Sequence, residues 1–287
     1  MISKKELQYV GGYPNKVPFP GKNYAISVME YLKKCLEVYK DVYSNKTFSF
    51  IFSDGEEINF ALLNKNLCHL LGIDFKDLTN DDASETMQDV LGFNKDERKT
   101  SFDVLARIID RADDVIENDS IPSNYKIMNY YKSLTKSEMF LKLSKFDKFN
   151  FGCINFDKKT YESFDSNLFG PQSTKFLFTQ SNEAVAPYFM MGLKYDEQCG
   201  HFIPETLIAP SDFTKFFREQ ELVIPTQILI DNLDNLSKIN ATSEEKLALL
   251  NLYKFIINTY KLNSRINIFS DYESVLSSVF SRETDEL

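Results

Sequence analysis

The 287-residue chain has no tryptophan, only two histidines, four cysteines and ten glycines. With two histidines, proton transfer by imidazole is restricted to His69 and His201. The glycines are scattered, so no Gly-rich loop follows a strand and no Walker-type Gly-Lys-Ser/Thr occurs, which argues against nucleotide-fuelled chemistry. Cys35, Cys68, Cys153 and Cys199 form no Cys-x-x-Cys pair, and a chain of this size needs no disulfide framework. No apolar run reaches the ~20 residues that span a bilayer; even Leu247 to Ile257 is broken by Asn251 and Lys254. Lys4, Lys5 and Glu6 are followed by no apolar stretch of the secretory kind. The expectation is a cytoplasmic protein with no membrane partner.

Positive charge is also in deficit. Against 42 acidic residues stand 33 Lys and Arg, a net charge of −9, which opposes general DNA scanning by phosphate neutralisation. Any nucleic-acid site must be local. The 43% hydrophobic content is enough to bury a sizeable core.

Residues 1–22, rich in Gly and Pro, read as an extended arm. Ile26, Met29, Leu32, Cys35, Leu36, Tyr39 and Val42 recur at helical spacing to about Tyr43. Residues 47–52 and 57–62 read as a hairpin around Asp54-Gly55. Residues 81–143 are helical in pattern, with the clearest helix from Ser101 to Glu117 and a further pair over Ser123 to Leu143. Four strands follow at 151–156, 174–180, 185–195 and 202–208, then a short helix from Ser211 and an edge strand over Leu222 to Pro225. From Thr226 the pattern is taken as helical, with Thr242-Ser243-Glu244-Glu245 a capping box for a helix through Leu262. The fold class is therefore α+β: a compact antiparallel sheet with an N-terminal helix, a helical insertion at about 75–145 within a domain over 23–225, and a C-terminal helical region over 226–287.

The segment Asn64-Lys65-Asn66-Leu67-Cys68-His69-Leu70-Leu71-Gly72 reads as a short helix with Asn64 as N-cap and Gly72 in the left-handed closing position. His69 points away from the Leu67, Leu70 and Leu71 face, as a general acid or base would need to; an exposed histidine without a role has the same pattern. His201 stands after Gly200 at the start of a strand. Thr206 on that strand could donate to a phosphate oxygen and Glu205 could act as a base, while a loop-edge histidine can equally just solvate a turn. Between Lys132 and Lys159, seven lysines and three acids give a local +4, with Phe146, Phe149, Phe151 and Phe156 interleaved. Lys142, Lys145 and Lys148 could then bind RNA phosphates beside stacked bases. Lysines on a solvated helix with phenylalanines packed inward explain the same run. Arg107 and Arg111 have Asp103, Asp110 and Asp114 at ion-pair spacing and are left out of the site. Cys68, His69, Cys199 and His201 supply a zinc-type ligand set, but adjacent residues on a helix diverge by about 100°, and no metal or other cofactor is expected.

The strand from Phe60 running into His69-Leu70-Leu71-Gly72, with Tyr188 to Leu193 and His201 to Thr206, resembles the phage-associated branch of the nuclease superfamily that joins barnase, EndoU, colicin-type and RelE-like toxins. The likeness covers residues 24 to 220. It implies a helix before an antiparallel sheet that cleaves RNA without metal, and it singles out His69 and Thr206. It further implies a metal-independent endoribonuclease or nuclease-like toxin, of a mobile element or phage-defence system, with RNA as substrate and an antitoxin as a possible partner. The acidity of the chain and its extra helical regions depart from that pattern. They favour the alternative of a catalytically silent effector that binds a protein through the same scaffold.

Overall fold

A computed structural model describes residues 22–73, 101–110, 130–146, 149–160, 172–181, 187–210, 214–232 and 235–266. The arm at 1–21, most of the expected insertion and the end of the chain lie outside them. The chain divides into two compact units. One, mostly helical, takes 1–44, 62–144 and 206–208; the other, mostly sheet, takes 45–61, 145–205 and 209–287.

The helical unit is built on α1 (Lys22–Val38), the short α2 (Leu67–Leu70), α3 (Ser101–Asp110) and α4 (Tyr130–Leu143). The apolar stripe of α1 buries Val28, Leu32, Cys35 and Leu36. Past Val38 the helix widens into a π turn, Tyr39–Tyr43, that buries both of its end tyrosines. Helices α1 and α4 pack together. Cys35 Sγ donates to the Ser137 carbonyl at 3.6 Å, and Tyr43 Oη donates to Ser144 Oγ at 2.7 Å. Burial raises the Cys35 thiol to about 12 and pushes the Tyr43 phenol up as well.

The sheet contains β1 (Lys46–Phe52), β2 (Glu57–Phe60), β3 (Phe151–Asn155), β4 (Lys175–Gln180), β5 (Tyr188–Asp196), β6 (His201–Ile208), β7 (Glu221–Val223), β8 (Pro225–Asn232), β9 (Asn235–Asn240) and β10 (Arg265–Ile266). Its order is β10-β7-β3-β4-β5-β6-β2-β1-β8-β9. The hairpin β1–β2 thus shares one sheet with β5, which lies inside it and is buried on both faces from Tyr188 to Leu193, as the apolar run predicts. The sheet is mixed rather than purely antiparallel: β2 runs parallel to β6, and β10 to β7.

Strands β7 and β8 are separated only by Ile224, yet β7 pairs with β3 and β8 with β1, near opposite ends of the sheet order. A single stretch, Glu221 to Asn232, therefore joins those two ends and closes the strands into a barrel. Ser53 N donates to the Ile224 carbonyl at 2.9 Å at the crossing point. Alternation along β1 and β2 sends Phe48, Phe50, Ile58 and Phe60 inward. The Phe50 ring meets Phe151 across the interior at 5.6 Å and Phe146 at 5.4 Å.

Two sequence expectations fail here. Pro225 does not stop an edge strand; it opens β8, at the first residue of a strand where a missing N–H is tolerated. Residues 226–232 and 235–240 are not helical but form most of the β8–β9 ribbon. The short Ile228-Leu229-Ile230 run fits either period, and pairing with β1 from Lys46↔Asn232 to Phe52↔Pro225 decides it. The C-terminal helix begins only at Ser243.

That helix, α6 (Ser243–Tyr260), follows the helical turn α5 (Thr214–Phe217) and has the expected capping box: Glu245 N donates to Thr242 Oγ1 at 3.2 Å, and Thr242 N to Glu245 Oε2 at 2.9 Å. It sends Tyr253 into the sheet. The Tyr253 hydroxyl donates to the Val223 carbonyl at 2.9 Å and accepts from Cys153 N at 3.0 Å, so it sits in the ladder between β3 and β7. Gly152 makes this possible, because a Cβ there would collide with Tyr253 Oη and Phe178. No described helix is long and apolar enough to cross a membrane.

Candidate functional site

His69 belongs to the helical unit. Asn64 to Asn66 form a 3₁₀ turn that leads into α2, and no side chain caps either start, so Asn64 is not the N-cap. The other end is as the sequence predicts. Gly72 has φ +77°, Ile73 N donates to the Cys68 carbonyl at 2.9 Å, and Gly72 N to the His69 carbonyl at 3.1 Å, which is a Schellman closure. Leu67, Cys68, Leu70 and Leu71 are buried while His69 is exposed.

His201 belongs to the sheet unit, after a turn in which Asp196 accepts from Gln198 N at 2.9 Å and Gly200 adopts φ +72°. Its Nδ1 is buried and has no hydrogen-bond partner. Glu205 accepts from Ser173 Oγ at 2.7 Å. Strand alternation puts His201 and Glu205 on one face of β6 and Thr206 on the other, ~16 Å from His201 along the strand. His201 and Thr206 therefore do not converge on one reacting atom.

The proposed RNA face separates in the same way. Phe146, Phe149, Phe151 and Phe156 are each 5% exposed or less and belong to the core. The stacking role is thus overturned in favour of inward packing. Lys142 is half-buried at the end of α4, Lys145 is exposed just after it, and Lys148 lies outside the described residues. Of the zinc-type set, Cys68 is buried beside an exposed His69 in the helical unit, whereas Cys199 and His201 belong to the sheet unit. Among the described residues no group of three or more His, Cys, Asp or Glu could hold a metal.

Sequence reasoning missed a polar network at one end of the barrel. Lys175 pairs with Glu56 and donates to Asn155 Oδ1 at 2.8 Å. Asn155 Nδ2 donates to Glu56 Oε2 at 3.0 Å and to Glu221 Oε2 at 2.7 Å. Both amide hydrogens donate and the amide oxygen accepts, so the network ties the β1–β2 turn to β3, β4 and β7. Beside it the Cys153 thiol is raised to about 12, chiefly by burial.

The opposite condition holds on α4. Lys136 is only 9% exposed, and burial, reinforced by the charge of Lys132, lowers its pKa to about 8. Among the described residues no acidic side chain offsets that shift. Ser133, fully buried on the same helix, has a hydroxyl without a partner among the described residues, while the equally buried Ser137 lies against the Cys35 thiol. A lysine at 136 reads as surface charge in the sequence. The available signal was its place on the stripe with Met139, Phe140 and Leu143.

No protein-family model, no curated protein and no solved structure matches this chain.

Proposed function

We propose that the chain is a protein-binding protein without catalytic turnover, and that it engages its partner by strand addition at β9. The observation that carries this reading is the outer edge of the β8–β9 ribbon, which no described strand covers. Strand β9 ends the sheet, its residues are exposed apart from the partly covered Ile239, and Leu236 on it is 64% exposed. The chain reverses between Asn232 and Asn235, a paired position, so alternation turns the N–H and C=O of Leu236, Lys238 and Asn240 toward the outer edge. A row of that kind is a template for an extended segment of another protein. The net charge of −9 suits a partner with a basic surface.

Metal-independent ribonuclease activity is the second reading, favoured by the exposed His69 on its closed helix. It asks for a base, an acid and a cation around one phosphate, and the described residues supply no such convergence about His201 and Thr206. One experiment separates the two. Purified protein is incubated with mixed RNA in EDTA and in Mg²⁺, alongside His69→Ala, and tagged wild type and Lys238→Pro are isolated from the native host. The binding reading expects intact RNA in both buffers and one stoichiometric partner retained by wild type and lost by folded Lys238→Pro. RNA cleavage that His69→Ala abolishes would overturn it in favour of the ribonuclease.

A further inference from the structure

The end of the barrel that holds the Lys175 network also carries an exposed aromatic ring. Glu221 opens β7, Asn155 ends β3 and Lys175 opens β4. The registers Asn155↔Glu221 and Asn155↔Lys175 set these three in one row on one face of the sheet. Lys175 stands opposite Leu193 of β5, so Tyr195, two residues further along and on the same face, is its diagonal neighbour, with backbones about 7–8 Å apart. Tyr195 is 50% exposed, and its ring is held edge-on by Phe202 of β6, with centroids 5.4 Å apart at 67°. Glu56 and Lys175 also reach solvent, their side chains 36% and 13% exposed. All of these residues belong to the sheet unit. An aromatic ring beside a few fixed polar groups is the composition of ligand sites in the mouths of barrels.

We propose that this end of the barrel binds a neutral saccharide, with one face of a sugar ring on Tyr195 and two neighbouring hydroxyls on Glu56 and Lys175. The network fixes both polar groups and leaves them bonding capacity. The Lys175 ammonium has three N–H donors and, among the described residues, two acceptors, Glu56 and Asn155. Glu56 accepts one bond at each carboxylate oxygen, so each oxygen has a lone pair to spare. Adjacent sugar hydroxyls can donate to such a carboxylate and accept from such an ammonium, while the C–H face of the ring packs on an aromatic side chain. Charge disfavours the other ligand classes. Glu56 and Glu221 offset Lys175 and Arg265, which pairs with Glu221 from β10, and Asp54 is engaged by the Glu56 N–H at 2.9 Å within its own turn. Neither an anion nor a cation gains from that balance, and an apolar ligand would cover Lys175 and Glu56 without bonding them. The site is separate from the β9 edge and does not depend on the partner-binding reading.

The test is NMR titration of the full chain with four neutral disaccharides: maltose, cellobiose, lactose and N,N′-diacetylchitobiose. The expected result is binding of at least one of them with a Kd of about 1 mM or tighter, with shifts centred on the Tyr195 and Lys175 signals. For that sugar, Tyr195→Ala should weaken binding about tenfold or more, whereas Tyr195→Phe, which keeps the ring, should weaken it less than about threefold. Glu56→Gln, which trades a charged acceptor for an amide, should weaken it about fivefold. Tyr195 is half-exposed near a hairpin, so its variants should fold, and circular dichroism checks this. Phe255→Ala removes an equally exposed ring from α6 and should leave binding unchanged. Failure of all four sugars to bind, full affinity in folded Tyr195→Ala, or loss of binding in Phe255→Ala would overturn the site.

Discussion

In the barrel, the buried Tyr253 hydroxyl has two backbone partners and the Asn155 amide donates both hydrogens and accepts at its oxygen; in the helical unit, the buried Ser133 hydroxyl has no partner among the described residues. The two regions bury polar groups to different ends. Groups whose partners come from several strands hold a topology together: Tyr253 bridges the β3–β7 ladder, and Lys175, Glu56, Asn155 and Glu221 tie strand ends and a turn. Groups left unpaired on one helix hold nothing together. A buried hydroxyl of that kind costs stability that no bond offsets.

Substitutions can break this contrast. The largest effect is expected in the barrel interior, where Phe50→Ala removes a ring packed against Phe48, Phe60, Phe146 and Phe151 and should cost about 3–5 kcal/mol in urea unfolding. Next comes Tyr253→Phe, which leaves the Cys153 N–H and the Val223 carbonyl buried and unpaired, for a loss of about 2 kcal/mol or more. Faster hydrogen exchange at the Cys153 amide should accompany it. Ser133→Ala, a comparable loss of one buried hydroxyl, should change stability by less than about 0.5 kcal/mol, because that hydroxyl has no partner among the described residues. Equal costs for these two variants would erase the distinction. The partly exposed Glu56→Gln should lie between them at about 1 kcal/mol.

The sequence makes some of this visible and hides the rest for physical reasons. Alternation in Thr47 to Phe52, the apolar run from Tyr188 and the Thr242 capping box are local signals, and the structure agrees with each. Gly72 announces its left-handed turn in the same way. Barrel closure has no local signal, since it depends on Glu221 to Asn232 pairing with β3 before Ile224 and with β1 after it. Glu56, Asn155, Lys175 and Glu221 are far apart in the chain and meet only once the barrel has formed. Phe146 to Phe156 looked like a base-stacking set because interleaved Lys and Phe carry no information about which side faces water. Lys136 was hidden within the same run; its helical neighbours, not its charge, marked it as buried.

The central claim is that Lys136 is a buried lysine with no acidic counter-charge among the described residues, and pH-dependent stability tests it most directly. Its folded-state pKa is lowered to about 8 while the unfolded chain keeps the ordinary 10.5, so between those values the unfolded state binds more protons. The penalty is therefore complete below about pH 8 and is relieved as pH rises toward 10.5; Lys132 is the charge that reinforces it. Urea unfolding of wild type and Lys136→Met is compared across that window in phosphate-free buffer. The account predicts that Lys136→Met is the more stable at pH 7, by on the order of 3 kcal/mol, and that the difference closes by pH 10.5. Parallel curves, or a Met variant that is less stable at pH 7, would contradict it.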